Sequence, residues 1–327
     1  MQKAVLAGGS ITILLCSLPL LFLCVVQRLP GDTGAPGSAT ISVDVDLVVL
    51  HATVRNRKGG FVSGLHKENF RVYDDGALQA IRVFQKEDVP VAVGLVVDNS
   101  GSMGRKRKDV TGAALAFVRS SNPQDEMFVV NFNERVSFGL PNTKLFSAST
   151  SELEKALNGI PAHGETALYD AIEAGLAHLK KATCDKRVLI VISDGGDNAS
   201  HHTLSQVLES AARSAAIIYT VGLFDEYDED SNPRVLRKIA HATGGEAFLP
   251  KETGNVVPIC ERIAADIRNQ YTIGYLPSNQ RLDSSYRTIK VTATGQHGNV
   301  LRVRTRAGYI ATPRRERQPA GSHEEIR

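Results

Sequence analysis

Tryptophan is absent from the 327 residues, and aromatic side chains make up only 6% of them. Flat stacking platforms for bases or sugars are therefore scarce. Surplus charge is equally short: the formal net charge is +3, which leaves out the strongly basic domain that nucleic-acid binding ordinarily needs. Of the four cysteines, Cys16 and Cys24 lie in an N-terminal apolar run, leaving Cys184 and Cys260 for the folded part. That is neither a disulfide framework nor the paired spacing of a zinc site. Cys184 just precedes a predicted strand and Cys260 falls in the first turns of a late helix, at opposite ends of a sheet, so no bridge between them is expected. What remains is 42% hydrophobic and 22% charged, an ordinary globular composition, long enough for one large or two modest domains.

Ala4 to Val26 is apolar and uncharged, preceded by Lys3. As a helix it would rise roughly 34 Å, enough to cross a bilayer core. The run exceeds the core of an ordinary cleaved signal peptide, and only Thr33-Gly34-Ala35 and Gly37-Ser38-Ala39 offer small-residue cleavage sites. Residues 1–29 are thus expected to be a transmembrane anchor in preference to a cleaved signal peptide. Either places the remainder outside the cytoplasm, membrane-anchored or secreted. A Gly/Pro/Ser-rich linker follows over 30–40.

From Ile41 the pattern turns to β. Val43, Val45, Leu47 and Val49 alternate with a period of two, and Phe70–Tyr73 and Ile81–Phe84 flank an Asp74-Asp75-Gly76 turn. At Val91 the regime changes. The continuous apolar run Val91–Val97 is the signature of a strand buried on both faces. After it, helical and strand patterns alternate as far as the helix Val256–Arg268, which implies a mainly parallel sheet with helices on both faces. One of these helices is expected to open at Thr166. From Tyr271 the pattern reverts to β over Tyr271–Tyr275, Tyr286–Thr292 and Val300–Arg306. Neither β flank has enough strands to stand alone. Together they make about seven, a reasonable sandwich. The expected division is therefore a β-sandwich first part over 41–89, an α/β domain over 90–269, a sandwich second part over 270–312 and a disordered tail over 313–327.

The strand Val91–Val97 ends in Asp98-Asn99-Ser100-Gly101-Ser102, and the strand Val188–Ile192 ends in Ser193-Asp194-Gly195-Gly196-Asp197-Asn198. Ligands of open α/β sheets bind beyond the carboxyl ends of strands, so Asp98 and Asp194 would point into one crevice. Two carboxylates there repel each other unless something positive lies between them. Ser100, Ser102 and Thr166 add hydroxyl oxygens. An all-oxygen set without sulfur or imidazole suits a hard cation such as Mg2+, with Mn2+ or Ca2+ as alternatives.

These residues resemble the von Willebrand factor A family, whose adhesion-site motif is Asp-x-Ser-x-Ser, a distant Thr and a later Asp at a strand end. Asp98, Ser100, Ser102, Thr166 and Asp194 fill its positions, and the resemblance runs roughly from Val91 to Asn269. It implies an α/β fold with a doubly wound, mainly parallel sheet, here inserted in a small β-sandwich behind an N-terminal transmembrane or signal segment. It also implies that the two serines and the threonine coordinate the metal directly or through water. The aspartates then act often through water, and the metal stays open to a carboxylate from a partner protein. The flanking β segments and the export sequence look like exported bacterial members. Glu165 departs from the pattern, because a small residue often precedes the threonine; its carboxylate would crowd or supplement the metal.

Asp197 and Asn198 are expected to orient the metal loop, and His201-His202 to be solvated surface. The run Arg105-Lys106-Arg107-Lys108 would sit at the crevice rim and steer acidic partners toward it. The acidic run Asp225–Asp230 lies on the same rim. An enzyme is the less favoured reading. Gly101–Lys106 fits neither phosphate-loop spacing, and Asp98 stands where a nucleophile elbow needs glycine. A scaffold whose metal serves folding is the other alternative. The expected function is a metal-dependent protein-binding or adhesion module outside the cytoplasm, with a partner presenting Asp or Glu, no nucleic acid, and membrane contact through the N-terminal segment.

Overall fold

The computed structural model describes residues 47–86, 88–224, 230–250, 256–295 and 298–312. The apolar segment over 1–29, the linker, the start of the first β segment and the tail from Pro313 lie outside the described residues, as does most of the acidic run. Among the described residues no helix is long and apolar enough to cross a membrane.

The described residues open with β1 (Val48–Arg55), β2 (Phe70–Asp74), β3 (Ala77–Gln79) and β4 (Ile81–Gln85). The turn between β2 and β3 is built on Asp75 at φ 45° and Gly76 at φ 81°, the paired positive φ values of a two-residue hairpin. The expected partner of β2 across that turn was the strand at Ile81. Instead β3 pairs with β2, while β4 crosses to the other sheet and pairs with β11 (Gln270–Tyr275). The phase of β1 also differs from the alternation at Val43 to Val49. Its core face is Leu50, Ala52 and Val54, and Val49 is exposed. Pairing with β11 sets this phase, because Leu50 faces Ile273 and Ala52 faces Tyr271, and a slip of one residue would turn every side chain over.

The central part runs β5 (Val91–Asp98), α1 (Arg107–Arg119), β6 (Glu126–Phe132), β7 (Val136–Phe138), α2 (Thr150–Leu157), α3 (Leu168–Leu179) and β8 (Lys186–Ser193). It continues with α4 (Leu204–Arg213), β9 (Ile217–Gly222), α5 (Pro233–Thr243), β10 (Ala247–Phe248) and α6 (Val256–Arg268). The six-stranded sheet has the order β10-β9-β8-β5-β6-β7, parallel except for the antiparallel edge β7. Helices α2, α1 and α6 pack on one another, as do α3, α4 and α5. The two groups cover the two faces, which is why β5 and β9 are buried at every position. Local signals set the helix ends. In α5, Asn232 caps the N-terminus, Pro233 opens the helix and Gly244 closes it at φ 79°.

After α6, β11 (Gln270–Tyr275) leads to β12 (Tyr286–Ala293), β13 (Arg302–Arg304) and β14 (Gly308–Ile310). The strand expected over Val300–Arg306 is shortened to β13, and β14 is a further strand beyond it. β13 pairs with β1 and β14 with β12, in different sheets. The two four-stranded sheets, β13-β1-β11-β4 and β14-β12-β2-β3, each combine strands from both flanks of the α/β part. They enclose one apolar cluster, in which Phe70 packs on Phe84 and Tyr271; this cluster is separate from the core around the parallel sheet.

A buried polar knot joins the two layers. Asp266 of α6, fully buried, accepts hydrogen bonds from the Tyr219 hydroxyl of β9 (2.7 Å), from Arg304 of β13 and from Arg55 of β1 (3.4 Å). Glu246 pairs with the same Arg55 at 3.1 Å. Cys184 and Cys260 are free thiols.

Candidate metal centre

In the parallel sheet the chain moves from β5 to β6 on one side and from β8 to β9 on the other. The carboxyl ends of β5 and β8 therefore flank the switch point where the strand order reverses and a crevice opens. Asp98 is the last residue of β5, and Asp194 follows the last residue of β8; both are buried.

After Asp98 the chain does not enter α1 directly. Gly101–Lys106 form a 3-10 helix, with Ser100 in extended conformation before it and Met103 N–H bonded to the Ser100 carbonyl at 3.1 Å. The buried Met103 side chain anchors this turn in the core. The Asp98 carboxylate accepts the Ser100 amide at 2.8 Å and the Ser193 hydroxyl at 2.6 Å. The Asp194 carboxylate accepts the Gly196 amide at 3.0 Å and the Ser102 hydroxyl at 2.5 Å, and the Ser100 and Ser102 hydroxyls lie 3.1 Å apart. Asp98, Ser100, Ser102 and Asp194 thus form one contiguous oxygen cluster. Gly195 permits its second limb. It sits at φ 84°, and a Cβ there would come within 2.5 Å of the Asn232 carbonyl.

Thr166 lies in a loop, two residues before α3, where the helix had been expected to open. It is buried, its amide bonds the Asn198 side chain at 2.8 Å, and its carbonyl accepts from Asn198 and Ala199. The same loop docks on the Asp98 segment through His163 N–H to Asn99 O (3.0 Å) and Gly101 N–H to Gly164 O (3.0 Å). Loops 98–102, 163–167 and 194–199 are therefore laced together. Glu165 is exposed, while Thr166 beside it is buried. Asp197 accepts from the Tyr169 amide at the start of α3 and from the Ser200 hydroxyl, so it holds the loop that follows Asp194 onto that helix.

The electrostatics suit a cation. Burial, and next the nearby Asp194 carboxylate, push the Asp98 carboxyl up to about 6, against hydrogen bonds from Ser100 and Ser193 that favour its charged form. Two buried carboxylates and hydroxyl oxygens, with no sulfur or imidazole bonded among them, match the ligand preference of a hard divalent ion. Among the described residues there is no cluster of three or more His, Cys, Asp or Glu able to hold a metal. The hydroxyls are thus integral to any metal site in this crevice.

The run Arg105–Lys108 does not present all four charges at the crevice rim, as its sequence led us to expect. Arg105 and Lys108 are exposed, but Lys106 is buried and its ammonium donates to the Leu223 carbonyl at 2.9 Å. A charge so placed is spent on the loop after β9 and does not face arriving partners. Arg107 is half-buried and bonds the Asn99 side chain. The run also straddles two elements, because α1 begins only at Arg107. His201 and His202 both turn Nδ1 toward Asp170, at 3.1 and 2.7 Å. Burial alone would raise Asp170, but the two amides and rings hold its carboxyl well below the usual range. Residues without an assigned role in the sequence reading are Ser193, Asn99, Asn131 and Asn133. Only Ser193 carried a usable signal, its position immediately before Asp194.

The family model described as von Willebrand factor type A domain matches residues 93–196, about a third of the chain, and the match includes all five oxygen-bearing positions. No curated protein matches the chain. Among solved structures it is similar to the von Willebrand factor type A protein from Catenulispora acidiphila, at 13% identity and a TM-score of 0.48, over 82% of this chain and 74% of that one. It is also similar to the vWF domain of the type V pili tip protein Mfa5 from Porphyromonas gingivalis, at 14% identity and a TM-score of 0.46, over 55% and 95% of the two chains. A third is proximal thread matrix protein 1 from the mussel byssus with a zinc-occupied MIDAS motif, at 16% identity and a TM-score of 0.48, over 58% and 48%.

Proposed function

We propose that this protein is a metal-dependent protein-binding module that works outside the cytoplasm, held at a membrane by its N-terminal segment. The observation that carries the reading is the convergence of the Asp98 and Asp194 carboxylates with the Ser100 and Ser102 hydroxyls at two neighbouring strand ends. Asp98, Ser100, Ser102, Thr166 and Asp194 would hold Mg2+, Mn2+ or Ca2+. When bound, the ion supplies a positive centre that attracts a carboxylate. An Asp or Glu of a partner protein is the complementary ligand, and exposed Arg105 and Lys108 favour the approach of an acidic surface. The extracytoplasmic assignment rests on the apolar run Ala4 to Val26.

A binding module is favoured over an enzyme because the serine hydroxyls at the crevice are bonded to carboxylates and to each other. Among the described residues no serine or cysteine is hydrogen-bonded to a histidine, the usual activating base. The test is capture of partners from cell-envelope extract with and without chelator, repeated with Asp98→Ala and followed by calorimetry with the recovered partner. Binding should disappear with chelator and with Asp98→Ala. A partner that survives both would overturn the reading.

A further inference from the structure

Position 99, between the first two residues of the Asp-x-Ser-x-Ser motif, is the most heavily braced residue of the crevice. Its amide donates to the Phe132 carbonyl at 2.7 Å, and its carbonyl accepts from His163 at 3.0 Å. Its side-chain Nδ2 donates to the Val97 carbonyl at 3.0 Å and to Asn131 Oδ1 at 3.2 Å, and its Oδ1 accepts from Arg107. Asn131, near the end of β6, completes the relay by donating to the Ala156 carbonyl of α2 at 2.7 Å. Both asparagines are about 1% exposed. Buried amides leave a large penalty when a partner is lost, so this chain is stiff. None of its atoms joins the oxygen cluster.

We infer that Asn131 is a positioning residue for the crevice: through Asn99 it sets the separation of the Asp98 carboxylate and the Ser100 hydroxyl before any ion arrives. The inference rests on the metal-binding reading above. The neighbouring Asn133 carbonyl accepts from Ala167 at 2.7 Å, so the same strand end also holds the loop that carries Thr166. The tip of β6 is therefore the common support for two of the three ligand loops, although it contributes no ligand. Positioning groups behind metal ligands commonly change affinity about 10- to 100-fold when removed.

The experiment uses the full chain, wild type against Asn131→Leu, which keeps the branching at Cγ and removes both hydrogen bonds. Asn131→Ser, polar but too short to span Asn99 and Ala156, serves if the leucine variant does not fold. Mn2+ affinity is read by calorimetry, and amide exchange in metal-stripped protein is read at Asn99 and Gly101 against β8 and β9. We expect Mn2+ binding at least 10-fold weaker and faster exchange at Asn99 and Gly101, with β8 and β9 unchanged. Unchanged affinity in a folded variant overturns the inference, and so does a stability loss equal with and without metal accompanied by unaltered exchange at Asn99 and Gly101. Wild-type protein that takes up no Mn2+ sinks the metal reading itself, an outcome distinct from a wild type that binds and variants that bind equally well.

Discussion

Replacing Asp98 by Asn should change how stability depends on pH in a way the crevice geometry dictates. In metal-stripped protein the Asp98 carboxyl is 2% exposed, and burial together with Asp194 raises it from 3.8 to about 6. The folded state therefore holds this proton more tightly than the unfolded chain does. Its stabilising contribution is complete below the unfolded value and is lost as pH rises through about 6. The displacement corresponds to about 3 kcal/mol, at about 1.4 kcal/mol per pH unit. The side chain of Asn is neutral at every pH and nearly the same shape. It can still accept the Ser100 amide and meet the Ser193 hydroxyl. The assay is urea unfolding of both proteins in metal-free buffer between about pH 4 and pH 7.5. Other carboxylates titrate in both, so the difference between the curves isolates Asp98. Wild type should lose about 2 kcal/mol more than Asp98→Asn across that window, which opens just above the unfolded value. Saturating Mg2+ at neutral pH should restore wild type by about 2.7 kcal/mol at 100 times its dissociation constant and leave Asp98→Asn unmoved. Parallel pH curves for the two proteins would refute the claim that two carboxylates crowd this crevice.

Further outcomes are expected from single and paired changes. Lys106→Ala should lower the melting temperature, since it strips the Leu223 carbonyl of a buried donor; the double change Arg105→Ala and Lys108→Ala should leave melting unchanged and slow association with an acidic partner in low salt, as surface binding kinetics would show. Asp266→Ala should cost about 1–3 kcal/mol in urea unfolding, because it leaves the fully buried Tyr219 hydroxyl without its acceptor and the half-buried Arg304 with only Glu246 at 3.7 Å. Gly245→Ala should destabilise by about 1–3 kcal/mol, since a Cβ there would lie 1.9 Å from the Ile218 carbonyl oxygen, whereas Gly104→Ala, with nothing within 4 Å, should be close to neutral by the same measurement.

Much of the α/β part was legible from local pattern. Val91–Val97 is apolar at every position, and a strand buried on both faces cannot be otherwise; it is β5, extended by one residue to Asp98. Asp98 and Asp194 follow such runs directly, so the rule that strand ends converge at a switch point was enough to bring them together. The basic run was misjudged at Lys106 because charge alone carries no information about which face of a 3-10 turn a side chain leaves. Asn131 was invisible for a related reason. It lies 32 positions from Asn99, and a polar residue inside an apolar strand gives no sign of its partner.

Sequence by itself determined where most strands and helices of the α/β part fall and which oxygens follow β5 and β8, since periodicity and turn chemistry are properties of a few adjacent residues. The tertiary structure alone decided the pairing. It sent β4 away from β2, placed β13 and β14 in different sheets, and put Leu50 rather than Val49 in the core. Strand pairing is chosen by the fit of whole faces brought together across more than 200 residues of chain, as in β1 with β11. No local window contains that choice. The same holds for the crevice, where the oxygen types are written in short motifs but their spacing is held by amides and carbonyls contributed by β6, α2 and the loop before α3.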